Sequence, residues 1–365
     1  MRILVLSPSL YNTAPASRFR IEQWARYLEP RGYQFTFVPF EDTELHECLH
    51  RPGHLLRKAR LMGEALLRRI AVSFSANRYQ VVFLEREAAA IGPAIIERMI
   101  VWRHIPLVYD FDEPIWMRYR SSLNSWFTLL KCQGKTASIC RLSDRVIVGN
   151  RRLAQYASRY SGKVDIVPDT IDLHEYTGCL TRRHSKTITL GWTGSRSTLP
   201  IFEALIPVLR RLVRQRAFRL VVIANVDSYS IPNLEADLVF RRWNASTEAE
   251  DLADIDIGLA PFPDSVWKPW ACNVKVLQYM AAGIPVVASK VGIVPDYIQD
   301  GFSGFLVTNG NEWLDRITRL IDDPGLRSHM GLEGRKVIRT RYSAEGWAER
   351  VGSIFDEIGN GGGDS

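Results

Sequence analysis

The sequence predicts an α/β protein built from two successive doubly wound domains, and three observations support this fold class. Its 365 residues exceed what one hydrophobic core usually supports and suit two domains. Short runs rich in β-branched residues alternate with segments of helical period, which favours parallel sheets covered by helices. The alternation stops after Val167 and starts afresh at Ile188, so one domain ends and another begins between these residues.

The first half alternates strands and helices as parallel sheets require. Strands are predicted over residues 3–6, 34–38, 81–84, 107–109, 145–148 and 165–167. Helices are predicted near residues 21–28, 94–102 and 151–160. A linker without strong periodicity follows over residues 170–185. We assign residues 1–178 to the first domain.

The second half repeats the pattern. Strands are predicted over residues 188–192, 220–223, 238–240, 257–261 and 286–288, and helices near 201–215 and 274–282. We assign residues 186–343 to the second domain. Residues 344–358 are expected to form a helix that packs back towards the first domain, and 359–365 a flexible glycine-rich tail.

Bulk composition restricts the compartment and the partners. Five scattered cysteines, without close pairs, fit a reducing environment. No signal peptide or membrane span is expected, so we predict a cytoplasmic protein, at most peripheral at the inner face of the membrane. A net charge of +7 favours anionic partners, whether phosphates, acidic lipids or nucleic acid.

Residues 51–69 are dense in basic side chains and carry leucines at roughly helical spacing. One interpretation is an amphipathic helix that presents cationic side chains to an anionic membrane surface. These cations are Arg57, Lys58, Arg60, Arg68 and Arg69. The other interpretation, a solvated helix packed on its own domain, has equal weight.

The most informative segment is residues 264–289. Asn273 is a good N-cap, residues 274–282 form a short helix, and Gly283 is its C′ residue. Free N–H groups and the positive dipole end would suit a diphosphate, with Lys275 and Gln278 projecting from one face. A crossover helix without a ligand is the structural alternative.

Residues 277–289, followed by Gly292 and by 301–305, resemble the donor-domain signature of family 4 retaining glycosyltransferases. The resemblance continues through residues 191–195, 254–259 and the C-terminal part of the chain. Residues 17–20, 85–87 and 109–113 resemble the acceptor domain of a bacterial branch acting on cell-surface or secreted glycans. The resemblance implies the GT-B fold, in which two Rossmann-like domains face each other across a cleft.

The resemblance implies transfer of a hexose from a nucleotide-diphosphate sugar to a glycan or lipid-linked acceptor, with retention of anomeric configuration. Neither a metal ion nor another cofactor is required, and nucleic acid, which would explain the charge but none of the motifs, is not expected as a partner. The implied donor-binding residues are Gly194, Ser195, Arg196, Trp243, Lys268, Asn273, Lys275 and Gln278. Trp243 is assigned either to base stacking or to packing, and the two lysines either to the diphosphate or to the surface.

Two departures from the family affect the donor site. Trp270 and Gln278 stand where many members carry two glutamates, the second of which binds the donor ribose. An amide still hydrogen-bonds ribose hydroxyls, but it supplies no carboxylate. Residues 198–201 also lack the family's second diphosphate cation, which Lys268 or Lys275 would replace.

Acceptor-side candidates follow the strands of the first domain. Asp112 stands where the family usually carries a histidine near the reacting sugar, so Asp112 and Asp110 are the catalytic candidates. Helix capping by Asp112 is the alternative. The acceptor-binding candidates are Arg18, Arg20, Glu85 and Glu87, and salt bridges among them are equally compatible with the sequence.

Two other functions remain open at this stage. A nucleotide-sugar epimerase uses the same pair of domains without an acceptor, and the changes at Trp270 and Gln278 fit a catalytically silent sugar-nucleotide binder. A nicotinamide-dependent oxidoreductase is poorly supported, because neither first-strand loop carries the G-x-G-x-x-G pattern.

Overall fold

The computed structural model describes residues 1–49, 51, 53–89, 91–117, 132, 134–180, 187–262, 270 and 272–360. The chain divides into two compact units, which are described separately. The first unit comprises residues 1–169 and 344–365, and the second comprises residues 170–343. The first unit therefore ends at Asp169 and not at residue 178, because Ile171 already donates its N–H to the carbonyl of Tyr342 in the second unit.

The first unit contains a sheet and helices in alternation. Its strands are β1 (Arg2–Ser7), β2 (Gln34–Pro39), β3 (Val81–Glu85), β4 (Leu107–Phe111), β5 (Arg145–Val148) and β6 (Val164–Ile166). Its helices before the linker are α1 (Pro15–Arg18), α2 (Ile21–Leu28), α3 (Thr43–Leu49), α4 (Leu55–Phe74), α5 (Ile95–Trp102), α6 (Lys135–Leu142) and α7 (Arg151–Ala157). All six predicted strands are present.

All six strands of the first sheet pair in parallel, in the order β2-β1-β3-β4-β5-β6. The chain changes direction along the sheet between β1 and β3. In doubly wound folds the loops beyond this switch point splay apart and form the usual ligand crevice. Residues that follow β1 and β3 are therefore the place to look for a site in this unit.

The second unit repeats the architecture. Its strands are β7 (Thr189–Gly194), β8 (Arg219–Ala224), β9 (Asp237–Arg242), β10 (Ile257–Ala260), β11 (Val286–Ser289) and β12 (Phe305–Val307). Its helices are α8 (Leu199–Glu203), α9 (Ile206–Val213), α10 (Glu248–Leu252), α11 (Val274–Ala281), α12 (Val294–Tyr297), α13 (Gly310–Asp322) and α14 (Pro324–Val337). The final helix, α15 (Ala344–Asn360), returns to the first unit.

The second sheet is also fully parallel, in the order β12-β11-β10-β7-β8-β9. Its switch point lies between β7 and β10, as in dinucleotide-binding folds. Together the two sheets confirm the predicted α/β class of two doubly wound domains.

Helix α15 completes the core of the first unit. Val351, Ile354 and Phe355 are fully buried and belong to the cluster that contains strand residues such as Phe83. The hydroxyl of Tyr33 donates to Asp356 at 2.8 Å on the polar side of the same contact. The first unit is therefore assembled from both ends of the chain.

The predicted helix over residues 201–215 is two helices. Helix α8 ends at Glu203, and α9 begins at Ile206 with Pro207 in its first turn. Proline lacks an N–H and crowds the preceding turn, so a continuous helix through residue 207 is disfavoured. The single-helix prediction was wrong because it followed apolar period and overlooked this proline.

The predicted cationic face on residues 51–69 is not available as proposed. Lys58 and Arg69 are buried in α4 and donate to backbone carbonyls of residue 51 and of residues 7 and 38. Arg57 and Arg68 are exposed but lie 2.7 Å from carboxylates of residues 44 and 42. No helix among the described residues is long and apolar enough to cross a bilayer.

Gly258 in β10 is required by packing, and Gly258→Ala is expected to destabilise the protein by about 1–3 kcal/mol. A Cβ at this position would lie 2.6 Å from ring carbons of Tyr279, which is itself fully buried. Urea denaturation measures the loss. The control is Gly63→Ala at an exposed position of α4, where no atom lies within 4 Å of the added Cβ and helix propensity favours alanine. Equal stability of the two variants would contradict this account.

Candidate functional site

The switch point of the second unit brings a lysine and a tryptophan together. Trp192 lies in β7 and is fully buried, and Lys275 occupies the first turn of α11. The Lys275 ammonium lies 4.6 Å from the centre of the indole ring. Within the described residues, Lys275 has neither a hydrogen bond nor an ion pair. Burial lowers the pKa of Lys275 to about 7.

Tyr279 fixes α11 against β7. Its hydroxyl accepts the N–H of Thr193 at 3.0 Å and donates to the carbonyl of Gly191 at 3.2 Å. A Cβ on Gly191 would lie 2.2 Å from the side chain of Ile255, so only glycine allows this close packing. The position of Lys275 is therefore set by a buried tyrosine one helical turn away.

The loop after β7 holds three predicted donor residues. The N–H of Ser195 donates to the Thr198 hydroxyl at 2.9 Å, and the N–H of Arg196 donates to the Asn225 side chain at 2.6 Å. These two amides must therefore exchange partners before they can bind a phosphate. Gly194 is required by packing, since its Cβ would lie 2.4 Å from the Trp192 ring. The Arg196 side chain is exposed.

The start of α11 differs in part from the prediction. Asn273 is the N-cap residue and is buried, but its side chain makes no capping hydrogen bond. Gly283 has a φ of +65° after the helix end, as predicted for a C′ residue. Lys268 lies outside the described residues. The first turn of α11 thus offers N–H groups that its own N-cap side chain does not occupy.

Gln278, predicted to meet the donor ribose, is buried and makes a hydrogen bond within its unit. Its amide Nε2 donates to the hydroxyl of Tyr176 at 3.2 Å. Tyr176 belongs to the segment predicted as a linker and is also buried. A carboxylate at position 278 would have no N–H to donate to Tyr176, whereas the glutamine amide has one. Gln278 and Tyr176 therefore form an uncharged hydrogen-bonded pair.

Trp243 follows β9 and is half-buried. Its indole N–H donates to the carboxylate of Glu248 at 2.8 Å, and its backbone N–H donates to the carbonyl of Ala224. The ring is thus anchored beside the ends of β8 and β9. This geometry is compatible with both the stacking and the packing interpretations.

In the first unit, Arg20 and Asp110 form a buried ion pair. Two guanidinium nitrogens lie 2.5 and 2.9 Å from the Asp110 carboxylate. A third nitrogen contacts the carbonyl of Val167 at 2.7 Å and Asp169 at 3.3 Å. Side-chain exposure is 1% for both Arg20 and Asp110. Both side chains are thus buried in this unit, and acceptor binding by Arg20 and catalysis by Asp110 stay predictions.

Glu85 is also buried, at the end of β3 beside the switch point. It accepts the hydroxyl of Ser17 at 2.6 Å, and burial raises its pKa to about 7. Arg18 is buried and donates to Asn12 at 3.0 Å, whereas Glu87 is half-buried. Arg20 thus pairs with Asp110, and Glu85 is bonded to Ser17.

Asp112 pairs with a residue that sequence reasoning did not select. The guanidinium of Arg86 lies 3.0 Å from Asp112 and 3.2 Å from Glu113. Arg86 has a φ of +58°, which is uncommon for a residue with a side chain, and its N–H donates to the carbonyl of Asp110 at 2.7 Å. Backbone strain of this kind is concentrated at functional positions. With side-chain exposures of 28% for Arg86 and 10% for Asp112, this pair is more accessible than the Arg20–Asp110 pair.

The protein is expected to be more stable at pH 5.5 than at pH 7.5. Burial raises the pKa values of Glu85 and Glu22 to about 7, from 4.5 for an ordinary glutamate, and also raises that of Asp169. Between these values the folded state binds more protons than the unfolded chain. The free energy of unfolding therefore falls as pH rises, by up to about 1.4 kcal/mol per pH unit for each carboxyl.

Urea titrations at the two pH values measure this dependence. Glu85→Gln has no charge to lose at position 85, so its profile should be flatter than that of the natural protein. Stability that rises between pH 5.5 and 7.5 would contradict the assignment.

Residues 189–323, which lie in the second unit, match the family model described as "Glycosyl transferases group 1". An alpha-D-kanosaminyltransferase of Streptomyces kanamyceticus is 32% identical over 89 residues, which cover 24% of this chain and 23% of that enzyme. The chain spans less than a quarter of the length of the curated relatives it matches.

Solved structures extend the likeness to the whole chain. A glycosyltransferase from Rickettsia africae has a TM-score of 0.71 at 13% identity, with 98% of each chain covered. The UDP complex of HepE from Anabaena has a TM-score of 0.66 at 17% identity and covers 98% of this chain and 100% of that one. HepE has also been solved with UDP-glucose. At these identities the likeness shows the fold: the chain has the GT-B fold of these glycosyltransferases, and its second unit carries the match to the group 1 family.

Proposed function

We propose that this protein is a glycosyltransferase that moves a hexose from a nucleotide-diphosphate sugar to a glycan or lipid-linked acceptor. The observation that carries the proposal is the Lys275 ammonium at the switch point, which has no anionic partner among the described residues. A diphosphate would supply one. The family match of the second unit and the sugar-nucleotide complexes of HepE support the same donor class.

At the donor end, positive charge stabilises the departing nucleoside diphosphate. We assign this role to Lys275, Arg196 and the N–H groups at the start of α11, with Lys268 as a further cation. Since these groups already supply charge and donors to the phosphate oxygens, we propose transfer without a metal ion, which activity in the presence of EDTA would support.

In our proposal, the nucleoside lies beside the diphosphate in the second unit. Ribose lies against Gln278, whose amide nitrogen is held by Tyr176 and whose oxygen accepts one hydroxyl. The base lies towards Trp243, anchored by Glu248. Gly194 and Ser195 shape the loop that receives the phosphates.

At the acceptor end, we assign Asp112 to the acceptor hydroxyl and Arg86 to orienting Asp112. Arg20 and Asp110 act as positioning residues, because both are buried. Arg20 links Asp110 in β4 to Asp169, where the first unit ends before the linker. Arg18, Glu85 and Glu87 line the same switch point and would shape acceptor binding. Retention of configuration is part of the proposal, and an inverted product seen by NMR would overturn it.

A thermal-shift screen tests the donor assignment. The purified protein is heated with UDP, GDP, ADP, dTDP and CMP, and then with the matching sugar nucleotides. A ligand that binds only the folded state raises the melting temperature. We expect one base to stand out, and the shift to be lost in Lys275→Met. No shift with any nucleotide would overturn the proposed donor class.

We also propose that α4 contacts a membrane surface, which would give access to a lipid-linked acceptor. Leu56, Leu67 and Phe74 are 90%, 68% and 53% exposed. Their spacing of 11 and 7 residues places them on one face of the helix. Because the exposed arginines of α4 are paired with carboxylates, we assign the contact to this apolar stripe rather than to charge.

The double variant Leu56→Glu/Leu67→Glu is expected to weaken vesicle binding by about tenfold or more, since it removes two exposed leucines that would be buried in the bilayer. Flotation with phosphatidylglycerol and phosphatidylethanolamine vesicles measures it. Leu332→Glu, at a 66% exposed leucine of the second unit, is the matched control. Equal flotation of the double variant and the control would rule out the α4 contact.

A further inference from the structure

Helix α9 is strongly basic on its outer face. Its inner residues Val208, Leu209 and Leu212 are buried in the core of the second unit. Residues 204–219 contain no acidic residue, but they contain five arginines, at positions 210, 211, 214, 216 and 219. The net charge of +7 favours an anionic partner, and this segment supplies positive charge that no neighbour in sequence cancels.

Arg210, Arg211 and Arg214, which we call the α9 arginines, keep their charges uncompensated. Arg210 donates to the carbonyl of Pro232 and Arg211 to the side-chain oxygen of Asn311, both at 3.0 Å, and both of these oxygens are neutral. Arg214 makes neither a hydrogen bond nor an ion pair with the described residues. All three arginines are exposed, so their charges are available to a partner from solution.

Other exposed arginines of this protein are paired. Arg216 and Arg219, just after α9, each lie 2.7 Å from a carboxylate, as do two exposed arginines of α4. Arg210 and Arg214 are one helical turn apart, where like charges repel each other. The helix dipole offsets part of this repulsion, since both lie at the C-terminal end of α9. An anionic partner would remove the rest.

We propose that the α9 arginines bind an anionic membrane surface through its phosphate groups. On the outer face of a helix, a single phosphate would keep most of its water and bind weakly. A membrane presents many phosphates at once, and each basic residue near an anionic surface raises affinity by about fivefold. Three arginines together should therefore contribute about 100-fold.

A membrane suits this face better than a nucleic acid does. Helix α9 has no aromatic side chain on which an unpaired base could stack. The inference goes beyond the proposed sugar transfer and does not depend on it, since the α9 arginines lie apart from the assigned donor residues in the sequence. It gives the second unit a membrane contact of its own.

This contact differs in kind from the one proposed for α4. Binding through the exposed leucines of α4 should persist in high salt and on uncharged lipid, because it depends on apolar burial. Binding through the α9 arginines should require anionic lipid and should fall as salt screens the charges. Stable attachment to a membrane commonly requires two signals, such as an apolar element and a basic patch.

Vesicle flotation tests the proposal. The full-length protein is mixed with phosphatidylcholine vesicles that contain or lack phosphatidylglycerol, in about 0.1 M and about 1 M salt, where the screening length is about 10 and 3 Å. The variant Arg210→Gln/Arg211→Gln/Arg214→Gln should bind the anionic vesicles about 100-fold more weakly than the natural protein in the lower salt. Glutamine preserves helix propensity, so the melting temperature should be unchanged.

The matched control is Lys290→Gln/Lys336→Gln/Arg339→Gln, which removes the same charge from exposed positions of the second unit outside α9. It should bind anionic vesicles within about threefold of the natural protein, because electrostatic attraction falls off within a Debye length. An equal loss in both triple variants would assign the effect to net charge and overturn the proposal.

Two further outcomes would also overturn it. The first is equal binding of the natural protein to vesicles with and without phosphatidylglycerol. The second is tighter binding to duplex DNA than to anionic vesicles, lost in the α9 variant, which would assign the arginines to nucleic acid. None of these results bears on sugar transfer, because donor binding is measured without vesicles.

Discussion

Lys275→Met is expected to lower kcat/KM for sugar transfer by about 100-fold to 1,000-fold, because it removes a cation aimed at the developing charge of the leaving diphosphate. Methionine keeps the apolar stem, and its thioether packs well against the ring of Trp192. The fold should therefore persist. Initial rates of nucleoside diphosphate release, measured over a range of donor concentrations, give kcat/KM.

Lys290→Met is the matched control, since Lys290 is an exposed lysine in the same unit, just after β11. It should leave kcat/KM within about twofold of the natural value, as expected for a surface substitution. If Lys275→Met were as active as this control, the diphosphate would have to be bound elsewhere.

Arg20→Met is expected to destabilise the protein by about 3–5 kcal/mol, because it leaves buried carboxylates without their countercharge. Asp110 loses both of its guanidinium contacts, and Asp169 loses its contact at 3.3 Å. Both carboxyls are almost fully buried, so water cannot replace the arginine. Urea denaturation followed by tryptophan fluorescence measures the loss.

Two comparisons separate burial from charge in this experiment. Arg31→Met removes an arginine at 2.8 Å from Glu349, but this pair is exposed and should contribute less than about 1 kcal/mol. The double variant Arg20→Met/Asp110→Leu should recover part of the stability, since it removes one stranded carboxylate. Equal losses for Arg20→Met and Arg31→Met would show that the buried pair has no special role.

Strand β12 and helices α13 and α14 were not predicted. The other strands followed from the sequence because apolar period distinguishes strand from helix within a short window. The order of strands did not, because β7 lies next to β10 through contacts between residues far apart in the chain. Pro207 indicates the break before α9, but the helical spacing of the apolar residues around it favoured one continuous helix. Local sequence patterns thus predicted most of the strands, and long-range packing determined their order in the sheets.

Candidate site residues were selected singly, and their partners were not predicted. Lys275 and Asp110 were selected because they lie near the ends of strands or helices. Their partners, Trp192 and Arg20, are separated from them by long stretches of chain, 90 residues in the case of Arg20. Arg86 was missed because its role depends on a backbone φ of +58°, for which the sequence carries no spacing signal.

Burial also decided roles that residue type left open. An arginine after a strand predicts anion binding equally well whether it is exposed, as Arg196 is, or buried, as Arg20 is. The same holds for the basic residues of α4, of which Lys58 and Arg69 are buried. Exposure is a property of the folded chain. The sequence alone therefore could not distinguish basic residues that are available to ligands from those that stabilise the fold.

The central claim, sugar transfer from a nucleotide donor bound at Lys275, is tested most directly by a transfer assay. The natural protein and Lys275→Met are incubated with the radiolabelled sugar nucleotide that gives the largest thermal shift, with and without a bacterial lipid and glycan extract. We expect acceptor-dependent release of nucleoside diphosphate and transfer of label to the extract, both lost in the variant. Donor left intact by the natural protein, or an epimerised sugar formed without acceptor, would contradict it.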